Sequence, residues 1–292
     1  MNEHNDRTGM QRRNLLSGVA AGGVGAILAG VGGIPTAARA QTAKPSDEDI
    51  LNFALNFEYL GAELYLHALT GSGLSAADTG GVGTPGSVLG GRAVAFSTDV
   101  IRQGVSKLAE DEVAHVRTLR TRLGALAIAR PAINISADWW TAIAVAAGVV
   151  PAGQRFDPYA DELSFVKAAY ALEDVCVTAL AGALPMFTNP ADVATAGAFL
   201  AVEAAQASAI RVVLGYTGQG AYTDAISNLR AQLSGAPDDI GTSVPGNTVN
   251  FVSSSNGQVF TRTPAQVLNI AYGGGAVAGF GFFPNRVNGA IR

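Results

Sequence analysis

The chain has one cysteine in 292 residues, so no intramolecular disulfide can form. Charge is sparse, at 14% of residues and a formal net of −4. No basic surplus exists from which to build a nucleic-acid footprint. Histidine is rarer still, at three residues. The sequence shows no nucleophile triad and no phosphate-binding loop. What remains is a 48% hydrophobic share, ample for a packed core in one large domain or two small ones. There are also 36 glycines, gathered between the apolar segments, as glycine-shaped loops joining compact elements require. Stability has to come from packing, or from a bound metal.

Residues 1–40 read as an export signal. A polar start leads to Gln11-Arg12-Arg13-Asn14-Leu15-Leu16, then Gly18–Ile34 is apolar with seven glycines. Ala38-Arg39-Ala40 follows as a small-x-small cleavage site, placed for cutting after Ala40. The pattern resembles a twin-arginine signal, which implies the twin-arginine export machinery as a partner and a periplasmic or secreted mature protein. An uncleaved anchor is disfavoured, because a span needs about 20 residues of stronger hydropathy. No stable membrane anchor is therefore expected. Removing the segment leaves 15 basic and 21 acidic residues (19 less 4, 23 less 2) and two histidines, His67 and His115.

Four long helices are predicted between Ser46 and Gly215. The first covers 46–69, opened by Ser46 and an acidic first turn, with an apolar stripe through Leu51, Leu55, Ala62 and Tyr65. The second runs from Ser97 to Leu123 and ends at Gly124. The third starts at Asp161 and stops near Pro185. The fourth starts at Asn189-Pro190 and stops before Gly215. A short apolar helix, about Asp138–Val149, interrupts the connection between the second and third, where Trp139 and Trp140 are expected to pack on the bundle. After Gly215 come a helix at Tyr222–Leu233, a small hairpin of Val249–Val252 with Val259–Thr261 around Ser255-Asn256-Gly257, and a helix from Thr263 to Tyr272. The glycine- and phenylalanine-rich end, Gly273–Arg292, is expected to lie over the bundle.

Each long helix carries one acid in the middle of its apolar stripe: Glu58, Glu112, Glu173 and Glu203. Burying four bare carboxylates together is prohibitive. They must be protonated, paired with basic residues, or gathered around cations. The stripes offer almost no basic residues at that level, so cations are the simplest neutralisation. Glu112 and His115 are three residues apart, one turn on the same face, and can ligate one transition-metal ion. This is the arrangement of di-metal carboxylate bundles: a Glu from each of two helices and Glu-x-x-His from each of the other two. Glu203 is followed by Gln206 where the second histidine belongs, so the second metal site is expected to be the weaker. Tyr65 and Tyr170 lie near acids on the same faces, either as donors to them or as plain core residues. Cys176, one turn after Glu173, is read as a buried inert thiol. Glu110 and Asp174 are expected to face solvent, and Glu63 with His67 to form a solvated pair.

The helical region resembles the ferritin-like domain family. The segments Leu51-Asn52-Phe53-Ala54-Leu55-Asn56-Phe57-Glu58-Tyr59-Leu60 and Gly281-Phe282-Phe283-Pro284-Asn285 resemble its desiccation-related branch. The resemblance implies an all-α fold: a ferritin-like four-helix bundle at 46–215 with one long crossover, and a C-terminal extension at 216–292. It implies two divalent metal ions, iron or manganese, held by Glu58, Glu112, His115, Glu173, Glu203 and Gln206. It also implies stress protection, either by oxidising iron or scavenging oxidants, or as a non-enzymatic structural protein with a degenerate site.

Overall fold

The first helix begins on its own capping chemistry. Ser46 Oγ accepts from the Asp49 N–H at 3.1 Å, while Asp49 accepts from the Ser46 N–H at 3.0 Å. Helix α1 then runs Asp47–Thr70 and stops at Gly71, whose φ of 77° suits glycine. A four-residue helix, α2 (Ala76–Thr79), and strand β1 (Val88–Gly90) lie in the following loop. In the computed structural model, residues 44–244, 247–248, 253–274 and 281–292 are described.

Helix α3 (Asp99–Leu123) has no side-chain cap of its own at Thr98. The cap comes from Glu162, the first residue of α5 (Glu162–Ala183), which accepts from the Ser97 and Thr98 N–H groups, both at 2.9 Å. Helix α6 (Pro190–Tyr216) has Asn189 as cap and proline at its first position. A six-residue turn joins α5 to α6, and α1 packs along α3 as α5 packs along α6. The four form the all-α bundle expected from the sequence.

The connection from α3 to α5 holds strand β2 (Ile133–Ile135) and helix α4 (Ala137–Ala146). β2 pairs in parallel with β1, Val88 opposite Ile133 and Gly90 opposite Ile135. This two-stranded link between two loops was not foreseen; strands of three residues carry almost no periodicity to read. Trp140 is buried, and both tryptophans pack on Phe282 near the C-terminus, at centroid distances of 5.6 Å and 5.1 Å.

Beyond α6 come α7 (Gly220–Ser234), the pair β3 (Ser243–Val244) and β4 (Asn247–Thr248), and α8 (Pro264–Ala271). Val249–Val252 of the expected hairpin lie outside the described residues, as does residues 1–40, the expected signal. The turn itself is present: Ser253 bridges Val259 antiparallel, with Gly257 at φ 76°. The two segments that resemble desiccation-related proteins meet in space. Phe57 of the first meets Phe283 of the second edge-on at 5.4 Å, and just past the second segment the Asn288 carbonyl accepts from Asn56 Nδ2 at 3.0 Å while its N–H donates to Asn56 Oδ1 at 3.0 Å.

Two expectations are corrected. Asp174 does not face solvent: it is fully buried, accepting from Arg211 and from Arg230 of α7. Arg230 also binds Asp239, and Arg262 binds Asp238 and Asp239. Burial works against the charge on Asp239, but Arg230 and Arg262 hold its carboxyl below the usual range. This chain of buried ion pairs ties the C-terminal part to the bundle. Glu63 is also buried; it pairs with Arg130 from the α3–α5 connection as well as with His67. In both cases the basic partner is distant in sequence, so helix-face reasoning alone could not find it.

Candidate metal centre

Glu58, Glu112, Glu173 and Glu203 project from α1, α3, α5 and α6 into one level of the bundle, and all four are buried, with His115. Ligand atoms of Glu58, Glu112, His115 and Glu203, one from each, lie within 4.8 Å of one another. Glu173 stands just outside that group, against Glu203, and accepts a hydrogen bond from the Tyr65 hydroxyl. Of the two tyrosines left open by the sequence, Tyr65 touches the acids. Tyr170 bonds to Ser227 at 2.8 Å and belongs to the ion-pair chain beside Arg230.

Small residues make the room. A Cβ added at Gly61 would run into the Glu112 carboxylate. Phe199 stacks on the His115 ring, centroids 3.9 Å apart and planes 22° apart, which fixes the imidazole. Its Nδ1 faces the acids, 3.1 Å from Glu58 and 3.3 Å from Glu203. The C-terminal extension covers the other side: Ile270, Ala271 and Phe282 close a cavity of about 20 Å³ beside Glu112 and Glu173.

The electrostatics follow from burial. Loss of water raises the Glu58 pKa, against the opposing pull of His115. Burial and then the charge of Glu203 push Glu112 and Glu173 well above the carboxylate range. For His115, burial alone would lower the pKa from 6.5; hydrogen bonds and charges from Glu203 and Glu58 outweigh it and raise it to about 10. The same carboxylates that favour a proton on His115 would favour a metal cation in its place. Cys176, expected to be buried, is only partly so; desolvation and then the surrounding carboxylates push its thiol up, which keeps it neutral.

Among the described residues, three buried acceptor atoms have no hydrogen-bond partner: Glu173 Oε2, Glu203 Oε2 and Gln206 Oε1. Orphaned buried oxygens are costly and rare. Here they are oxygen donors at one level of the bundle, which is what hard or borderline divalent cations use. The residues fit a carboxylate-bound metal. Gln206 is held by a partner the sequence reading missed. Its Nε2 donates to Asp111 at 3.2 Å, and Lys107 pairs with Asp111 in turn. That bond sends the amide oxygen the other way. The signal was the i, i+4 spacing of Lys107 and Asp111, though the contact to Gln206 crosses helices.

The profile of the ferritin-like domain family matches residues 46–231. Among curated proteins, the chain is similar to the ferritin-like catalase Nec2 of Nesocodon mauritianus, 31% identical over 274 residues, covering 84% of this chain and 85% of that one. It is also similar to the desiccation-related protein PCC13-62 of Craterostigma plantagineum, 28% identical over 246 residues, covering 76% of each. No solved structure matches significantly.

Proposed function

The chain belongs to the ferritin-like domain family, and from that premise we propose that it is an exported peroxide scavenger built on a carboxylate-held pair of divalent metal ions. The observation that carries the reading is the convergence of Glu58, Glu112, His115 and Glu203 within 4.8 Å, with Glu173 alongside, in a buried layer that has oxygen acceptors to spare. The similarity to a protein named as a catalase supports peroxide over iron as the substrate.

Glu58, Glu112, Glu173, Glu203 and His115 would hold the ions, iron or manganese, with Gln206 Oε1 as a weaker sixth donor. When bound, such ions supply the two-electron redox change that lets one peroxide be oxidised to O₂ while another is reduced to two waters. The two protons and two electrons released by the first peroxide are those the second consumes, so no outside reductant is needed.

The chain's own groups do the rest. The Tyr65 hydroxyl, donating to Glu173, fixes that carboxylate. Its own pKa is raised well above 10, first by burial and then by Glu173, so it remains a proton donor. Phe199 holds the His115 plane. Bundle and C-terminal extension together exclude bulk water, which strengthens each charge interaction inside.

The test is oxygen evolution from hydrogen peroxide by protein loaded with manganese or iron, beside the Glu112→Gln variant. The parent should evolve O₂, and the variant should lose metal and activity together. A metal-loaded parent that leaves peroxide untouched would defeat the reading and favour the structural stress-protection role, to which Gln206 in a histidine position and the likeness to a desiccation-related protein already lend weight. Export is tested separately: changing Arg12 and Arg13 to Lys should leave precursor unprocessed in the cytoplasm, and unchanged processing would refute it.

A further inference from the structure

A second cavity, of about 30 Å³, shares Phe57 and Cys176 with the one under the C-terminal cover but is walled otherwise by different residues. It runs between α1, α5 and α6 and reaches Glu58 at its inner end. Its walls are almost wholly apolar; Phe53, Phe57, Phe187 and Phe199 form much of them. Half-exposed Ala54, Ala183 and Thr195 border it. Glu58 is the charged group it presents.

Size and polarity together decide what it can take. A water-sized oxygen needs at least about 10–15 Å³ of such volume, so 30 Å³ holds two of them. Two oxygens are the heavy-atom content of one peroxide, or of one O₂. A hydrated metal ion is several times larger. It would also have to shed its water against aromatic walls that offer almost nothing in its place. A neutral molecule meets a much lower barrier, and a peroxide that reaches Glu58 finds its carboxylate as an acceptor for the O–H.

We propose that this apolar cavity is the passage by which hydrogen peroxide reaches the Glu58 side of the metal centre, and that it passes small uncharged molecules while excluding ions. The inference rests on the peroxide reading of the centre. It makes Thr195 and Ala54 determinants of substrate access rather than of metal binding. It also accounts for the wall: an apolar passage suits the departure of O₂, while peroxide, being uncharged, leaves water at far lower cost than an ion.

The experiment uses the full metal-loaded protein with Thr195→Phe and, separately, Ala54→Leu, which narrow the rim without touching an acid. Ala198→Leu, on the exposed face of α6, is the control. Crystals of parent and variants are also pressurised with xenon, an apolar probe of similar size. Both rim variants should keep the parent's metal content, while kcat/KM for peroxide falls about tenfold or more and kcat falls less. Xenon should sit beside Phe199 and Glu58 in the parent and be absent from the variants, and the control should match the parent in every readout. Rim variants with kcat/KM within about twofold of the parent, although xenon is displaced, would overturn the passage. So would a parent cavity that takes no xenon. If the parent turns over no peroxide, the function fails and the xenon result alone decides whether the cavity admits small uncharged molecules. If Thr195→Phe fails to fold, Ala54→Leu, on a different helix, carries the same comparison.

Discussion

At the scale of single residues, the account rests on how little space the acids have. Gly61 is present because any side chain there meets the Glu112 carboxylate. Gly61→Ala should therefore leave the helix content unchanged, since alanine is the better helix former. It should weaken metal binding about tenfold or more by displacing one ligand, as read by calorimetric titration of the metal-stripped protein. Gln206→His should act in the opposite sense, completing the second Glu-x-x-His and tightening the second metal ion in the same titration. The buried acid layer was legible because a lone acid in an apolar stripe is conspicuous. Glu58, Glu112, Glu173 and Glu203 could each be found that way, and His115 by its spacing. Only the Lys107–Asp111 spacing was legible at Asp111; its bond to Gln206 joins residues on two helices and leaves no periodic trace.

At the scale of elements, boundaries were legible wherever capping chemistry sets them: Ser46, Asp161, Asn189 and Thr263 all cap the helices expected to follow them. The α3 start was less so, because its cap is Glu162 from another helix. Least legible was the attachment of α7 and α8. It runs through Asp174, Asp238 and Asp239 against Arg211, Arg230 and Arg262, residues that in sequence look like ordinary surface charge. Asp174→Ala removes a carboxylate shared by two buried guanidinium groups. It should lower unfolding stability by about 3–5 kcal/mol, the cost of breaking a buried pair from one side, measured by urea titration. A loss below about 1 kcal/mol, the worth of a surface pair, would mean that the network does not tie the extension down.

At the scale of the whole molecule, a four-helix bundle has been given a charged middle layer that its apolar stripes alone would not tolerate. Without metal, Glu58, Glu112 and Glu173 have folded pKa values raised from 4.5, chiefly by burial. Folding then holds protons that the unfolded chain releases, so this stability is present at acid pH and is lost as pH rises through the folded values. His115 acts in the same direction: its contribution is full below 6.5 and lost as pH rises through about 10. Chelated protein should consequently melt at progressively lower temperature from pH 5 towards pH 10. Added manganese or iron should restore the melt, most at the alkaline end where ligands are deprotonated and mass action favours the bound form. Identical melts with and without chelator across that range would contradict the charge balance. The central claim, that Glu58, Glu112, His115, Glu173 and Glu203 hold two metal ions, is tested most directly by elemental analysis of protein purified from its native host without chelators. The account predicts about two iron or manganese ions per chain, as a di-metal carboxylate layer requires. Protein that is folded and free of both metals, and that takes up neither on reconstitution, would contradict it.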